Sequence, residues 1–149
     1  MNLNIGDQVP DFEAEIQDGS NIKLSDYKGK KLVLFFYPKD NTPTCTTEAC
    51  NLRDNYEEFQ KLGYEVLGVS TDTTKSHQKF IDKFDLPYNL ISDPDKKIHE
   101  LFGTWVEKQM YGKKYMGTAR NTFVINEDGK IENIVEKVKA KEHTNQILS

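Results

Sequence analysis

The spacing of apolar residues changes along the chain, and each change marks an element. Phe12 to Gln17 and Ile22 to Leu24 flank Asp18-Gly19, a turn signal, so a short hairpin is expected. Lys31 to Tyr37 (KLVLFFY) is apolar without alternation, the pattern of a strand covered on both faces. Between Thr42 and Leu62, apolar residues fall at Cys45, Ala49, Leu52, Tyr56, Phe59 and Leu62. Steps of three and four predict one amphipathic helix, stopped by Gly63. Tyr64 to Ser70 (YEVLGVS) is a second covered strand. Strand, helix and strand make a right-handed crossover, so the two strands are expected to run parallel.

A helix over Thr73 to Phe84 follows, with Phe80, Ile81 and Phe84 on its buried side. Asn89 to Ser92 reads as a short strand and Asp95 to Phe102 as a short helix. Asn121 to Asn126 and Lys130 to Glu136 form a hairpin around Glu127-Asp128-Gly129, and Glu142 to Leu148 a closing helix. The segment Phe102 to Ala119, rich in Gly, Lys and Tyr and poorly periodic, reads as a long loop beside the functional face. No repeat, low-complexity tract or linker interrupts residues 1–149, which are expected to form one domain. A βαβ half followed by a ββα half is the thioredoxin-like α/β arrangement, a central mixed sheet flanked by helices.

Composition narrows the function. At 149 residues the chain can bury a substantial core. A net charge of −4 argues against a nucleic-acid or anionic-membrane surface. The longest apolar run, Leu32 to Tyr37, is too short to span a bilayer, and the N-terminus lacks a basic region followed by an apolar stretch. A cytoplasmic protein is expected. The only cysteines, Cys45 and Cys50, are too few for a disulfide scaffold, and His77, His99 and His143 show no ligand spacing around them. Redox or nucleophilic chemistry therefore leads the possibilities for these thiols.

Thr42-Pro43 is a helix-start signature, Thr at the N-cap and Pro at the first helical position. Cys45 is then the third helical residue, among unsatisfied N–H groups at the positive end of the helix dipole. Both favour thiolate over thiol. The plain alternative is a packing cysteine on the apolar stripe with Ala49 and Leu52. Cys50 lies five residues on, about 140° around the helix and about 7.5 Å along it, so the two Cα atoms stand roughly 8.7 Å apart. A disulfide tolerates about 7 Å, so the pair cannot bond while the helix is intact. On spacing alone, Cys50 is an ordinary thiol on the less buried face.

Only two of the twenty Lys and Arg residues are arginine. Arg53 lies about 12 Å along the helix from Cys45 and is expected at the surface. Arg120 opens the TFVI strand. If that strand runs antiparallel to the first two, its start lies at the Cys45 end of the sheet, where a guanidinium offers a fork of donors to a thiolate and a polar substrate. A solvated strand-end Arg is the plain alternative. Glu48, three residues after Cys45, opposes thiolate formation by like charge when alone, and orients Arg120 when paired with it. It could also simply favour the helix dipole.

At these residues the chain resembles the peroxiredoxins, whose signature is Pro, three residues, Thr or Ser, two residues, Cys; here Pro38, Thr42 and Cys45. It is most similar to the peroxiredoxin Q / bacterioferritin comigratory protein subfamily, through GDQVPDF (6–12), DNTPTCTTEACNLRD (40–54), GVSTD (68–72), LISDPD (90–95) and FGTW…MYGKKYMGTARNTFVI (102–125). Thr44 stands where the subfamily usually has Gly, and Asn121 where Ser is frequent. The resemblance covers essentially the whole chain. It implies a thiol peroxidase with Cys45 as peroxidatic cysteine and Cys50 as resolving cysteine, joined by an intrachain disulfide during turnover. Thr42 and Arg120, with the Cys45 N–H, would hold the peroxide; Glu48 would orient Arg120 and Pro38 would shield the thiolate. Hydrogen peroxide and organic hydroperoxides are the implied substrates, and a thioredoxin-type dithiol protein the implied reductant. The resemblance further implies a monomer with no metal, haem or flavin. A general disulfide oxidoreductase shares the fold but would carry Cys-x-x-Cys, which is absent. A non-enzymatic binding domain would use both cysteines only for packing.

Overall fold

The computed structural model describes residues 3–148. The described elements begin with the hairpin strands β1 (Glu13–Ile16) and β2 (Asn21–Lys23), followed by β3 (Lys31–Phe36). Helices α1 (Pro43–Asp54) and α2 (Tyr56–Lys61) lead to β4 (Tyr64–Ser70), α3 (Thr74–Phe84), β5 (Asn89–Ser92) and α4 (Lys97–Phe102). Strands β6 (Trp105–Met110), β7 (Lys113–Thr118), β8 (Thr122–Ile125) and β9 (Ile131–Val135) precede α5 (His143–Leu148). Seven strands form one sheet in the order β2-β1-β5-β4-β3-β8-β9. The β3–β4 and β4–β5 pairs are parallel; β1–β5, β3–β8 and β8–β9 are antiparallel. This is the mixed, helix-flanked sheet of the thioredoxin-fold expectation.

The uninterrupted apolar run of β3 divides by parity. Leu32, Leu34 and Phe36 join one core with Leu67, Val69, Ile91, Phe123 and α4 residues Ile98 and Phe102. Val33, Phe35 and Tyr37 join the other with Cys45, Ala49, Leu52, Phe59, Phe80 and Ile147, carried by α1, α2, α3 and α5. A strand covered on both faces has no room for polar alternation, which is why the run is continuous. Gly68 on β4 belongs to this packing. A Cβ there would stand 2.6 Å from Leu90 Cδ2 and 2.9 Å from Phe35 Cζ, so its missing side chain is the space the Phe35 ring occupies.

Two expectations are corrected. The helix expected over Thr42 to Leu62 is two helices with a break at Asn55. There the Asn55 side-chain amide donates to the Asn51 carbonyl at 2.8 Å, while its backbone N–H turns to Leu52 O at 3.3 Å. A polar side chain has taken the carbonyl that the helix ladder would use, and the apolar stripe continues across the break. The segment expected as a loop, Phe102 to Ala119, holds the antiparallel pair β6–β7. Its turn is Tyr111-Gly112, both at positive φ (51° and 77°), the backbone of a tight two-residue hairpin. Tyr supplies no Asn-Gly or Asp-Gly signal, and outer positions of both strands face solvent, so period-two alternation is absent.

Candidate active site

The parallel strands point their C-terminal ends at the loop between β3 and α1, and that loop is clamped. Asp40, buried, accepts from Tyr37 Oη at 2.6 Å and Ser76 Oγ at 2.8 Å and faces His77 Nδ1 at 2.7 Å. The Asp40 N–H donates to Asp72 Oδ2 at 2.8 Å, which also accepts from Ser70 Oγ at 2.7 Å. Asp40, Asp72 and His77 are metal-ligand types with donor atoms within 4.8 Å of one another. Both Asp40 oxygens and Asp72 Oδ2 are occupied by hydroxyls, an amide and an imidazole, so the cluster fits a loop clamp rather than a cation cage.

Beyond the loop, Pro43 opens α1 and Thr42 holds the N-cap position with extended backbone. Its hydroxyl does not cap the helix. It donates to Lys39 O at 2.9 Å, a difference from the expected cap that leaves the first turn without a side-chain acceptor. Pro38 is half-buried at the start of the loop, and Thr44 is exposed. Cys45, 1% exposed, packs on the Val33–Phe35–Tyr37 face.

The antiparallel pairing of β3 with β8 sets Phe35 opposite Thr122, so Arg120 emerges at the loop end of the sheet. Arg120 Nη2 donates to Cys45 Sγ at 3.4 Å and Nη1 to Glu48 Oε1 at 2.9 Å. Arg120 thus stands at the Cys45 end of the sheet, one arm on the sulfur and the other on Glu48. Glu48 is fully buried, and burial pushes its carboxyl up to about 7 against the pull of Arg120. Glu48 lies beyond the first turn of α1, which counts against the plain alternative of a first-turn carboxylate set there for the helix dipole.

Cys50 is half-buried on the same helix, both cysteines are free, and burial raises the Cys50 thiol. With both residues inside the continuous α1, the helical spacing that forbids a disulfide stands. Arg53 contacts neither Cys45 nor Glu48, though its charge pulls the Cys50 thiol down against burial. It is not merely a surface residue, since its Nη1 donates to Phe84 O at 2.8 Å and ties α1 to the end of α3.

Three further residues were not legible in the sequence. Tyr88, buried, donates to Ala49 O at 2.7 Å and pins the middle of α1. Lys108, on β6, is lowered mainly by burial and then by the charge of Arg120, and feels the Cys45 charge in the opposite sense. His143, the first residue of α5, stands fully buried with Nδ1 3.1 Å from Glu48 Oε2 and Nε2 2.7 Å from Thr122 Oγ1. The β6–β7 hairpin and the docking of α5 are tertiary events. The only local hint was the histidine's place at the start of a short helix.

The AhpC/TSA family model matches residues 5–134. The chain belongs to the AhpC/TSA family. Peroxiredoxin Bcp of Bacillus subtilis is 46% identical over 148 residues, 99% of this chain and 94% of that protein. Among solved structures, a cysteine-to-serine variant of Xylella fastidiosa PrxQ superposes with a TM-score of 0.93 at 34% identity, covering 99% of this chain and 94% of the other. The bacterioferritin comigratory protein of Xanthomonas campestris, described through its alkyl peroxide reduction activity and a trapped intermediate, gives a TM-score of 0.87 at 36% identity over 92% and 87%. Within the family, the chain sits with the peroxiredoxin Q / Bcp proteins its motifs resemble.

Proposed function

We propose that Cys45 is the nucleophile of a peroxide reductase and that Arg120, Glu48 and Thr42 serve it. The single observation that carries the reading is the Arg120 fork, one arm on the Cys45 sulfur and the other on buried Glu48. A guanidinium so held favours a negative sulfur and offers its remaining donors where charge develops on the departing oxygen. The Cys45 thiolate attacks one peroxide oxygen; the S–O bond forms as the O–O bond breaks. The other oxygen leaves with the electron pair and takes a proton, giving Cys45–SOH and water or an alcohol. In this reading Thr42 and the Cys45 N–H hold the peroxide, and Pro38 keeps bulk water from the sulfur.

Cys50 is the resolving thiol. Its sulfur displaces hydroxide from Cys45–SOH, and water leaves as the intrachain disulfide forms. The first turns of α1 must open for this step. Tyr88 on Ala49 O and Asn51, which is bonded to Lys141 O at 3.0 Å and to Thr144 N at 2.9 Å, hold the later turns, so opening proceeds from the Pro43 end. A thioredoxin-type dithiol then exchanges with the disulfide, restoring two thiols and becoming oxidised itself.

Hydrogen peroxide and organic hydroperoxides are the proposed substrates, and the reading needs no metal or organic cofactor. No described helix is long and apolar enough to cross a membrane. Cytoplasmic residence, a monomeric state and no nucleic-acid partner complete the proposal. The test is peroxide consumption with a thioredoxin-type reductant by the wild type and by Cys45→Ser. Loss in a folded Cys45→Ser variant supports the reading; an unchanged rate sinks it.

A further inference from the structure

Behind the Arg120 fork lies a second contact that the peroxide chemistry above does not use. Glu48 Oε2 and His143 Nδ1 approach to 3.1 Å, both side chains are fully buried, and neither atom has a hydrogen-bond partner among the described residues. Two bare lone pairs at that separation, away from water, repel, and a proton on either atom relieves the repulsion. Burial and then the Arg120 charge push His143 down to about 3, so near neutrality the imidazole carries one proton and the contact is not an ion pair.

That single proton has two arrangements. With Glu48 ionised, Nδ1–H donates to Oε2 and Nε2 accepts from the Thr122 hydroxyl. With Glu48 protonated, its O–H donates to bare Nδ1 and Nε2–H donates to Thr122 Oγ1. A hydroxyl serves both, since it donates or accepts as required. Thr122 opens β8 two residues after Arg120, so one short segment carries the first and the fourth members of the chain Thr122–His143–Glu48–Arg120–Cys45.

We propose that His143 is a positioning residue of the Cys45 site, which acts through Glu48 by fixing its second oxygen and thereby the aim of the Arg120 fork on the sulfur. The inference rests on the reading of Cys45 and Arg120 given above. The charged and titratable groups facing this chain are Arg120 from just before β8, Cys45 from α1, Lys108 from β6, and Tyr88, whose phenol feels the Glu48 charge. An ionised Glu48 shares the Arg120 charge with the sulfur. A protonated Glu48 leaves that charge to the sulfur but weakens the anchor that aims it. His143 decides how firmly the anchor holds in either state.

The test uses His143→Asn, His143→Gln and His143→Leu in the full chain, with single-turnover peroxide reaction followed across pH values either side of 7. An Asn amide places an N–H where Nδ1 stands; a Gln amide reaches the Nε2 position and serves only Thr122. The expected result is a rate loss of up to about a hundredfold in the Gln and Leu variants, with an altered pH profile, and recovery of most of the rate in Asn. Equal rates and profiles in all three, or equal losses in all three, overturn the proposal.

Nitrogen NMR of the imidazoles in the unmutated, reduced chain keeps the question decidable if a variant does not fold. The His143 proton is expected to move from Nε2 to Nδ1 as pH rises through about 7. A proton fixed on one nitrogen throughout, or an imidazolium at neutrality, overturns it. A wild type that consumes no peroxide sinks the reading of Cys45 instead and leaves the NMR result standing.

Discussion

Arg120 and Cys45 are 75 positions apart in the chain, yet a guanidinium nitrogen of one lies 3.4 Å from the sulfur of the other. Strand direction makes this contact. β8 runs against β3, so Arg120, two residues before it, returns to the end where α1 begins. The same guanidinium is anchored by Glu48, and a two-point anchor leaves it little freedom to turn away.

Arg120→Lys is expected to be costly, because an ammonium is a point charge and cannot meet the sulfur and Glu48 with two fixed arms. Loss of one well-aimed donor costs about a hundredfold or more in rate. Stopped-flow measurement of the peroxide reaction checks this, and a near-normal rate in the lysine variant removes Arg120 from the chemistry.

Cys50→Ser is expected to retain the first reaction with peroxide and to stop at Cys45–SOH. Burial keeps the Cys50 thiol raised, which fits a group that waits as a thiol. Mass spectrometry after one equivalent of peroxide should find one added oxygen, or a mixed disulfide when a small thiol is present. Peroxide turnover with thioredoxin unchanged from wild type would count against the resolving role.

Much of this was legible from residues alone. KLVLFFY reads as a strand covered on both faces, and an antiparallel TFVI strand brings Arg120 to the end of the sheet that holds Cys45. What escaped had non-local causes. Asn55 breaks the helix with a side-chain bond to Asn51 O while the apolar stripe runs on. The β6–β7 hairpin turns on Tyr111 at positive φ, which no local preference announces. His143 becomes part of the site only because α5 lies over Phe35, their rings 5.9 Å apart.

Gly68→Ala tests the shelf beneath the site. The added methyl meets Leu90 and Phe35, both fully buried, so the Phe35 ring must shift, and with it the surface on which Tyr88 and His143 rest. Overpacking of this kind costs about 1–3 kcal/mol. Urea unfolding should show the loss; a variant as stable as wild type would mean the core relaxes freely there.

The pH dependence of stability tests the buried pair as a unit. Glu48 is raised from 4.5 to about 7 in the fold, so taken alone it costs stability as pH rises from 4.5 to 7, where the unfolded chain has released a proton that the folded chain keeps. His143 is lowered from 6.5 to about 3, so taken alone it costs stability as pH falls from 6.5 to 3, where the unfolded chain has gained a proton that the folded chain refuses. Between 4.5 and 6.5 each state holds one proton on the pair, folded on Glu48 and unfolded on His143, and the two slopes cancel. His143→Leu removes one slope and leaves the other. Compared with wild type, this variant should lose stability more steeply as pH rises from 4.5 to 6.5. Urea titrations at several pH values in that interval measure it, and parallel curves for the two proteins would show that Glu48 and His143 do not exchange the proton assigned to them.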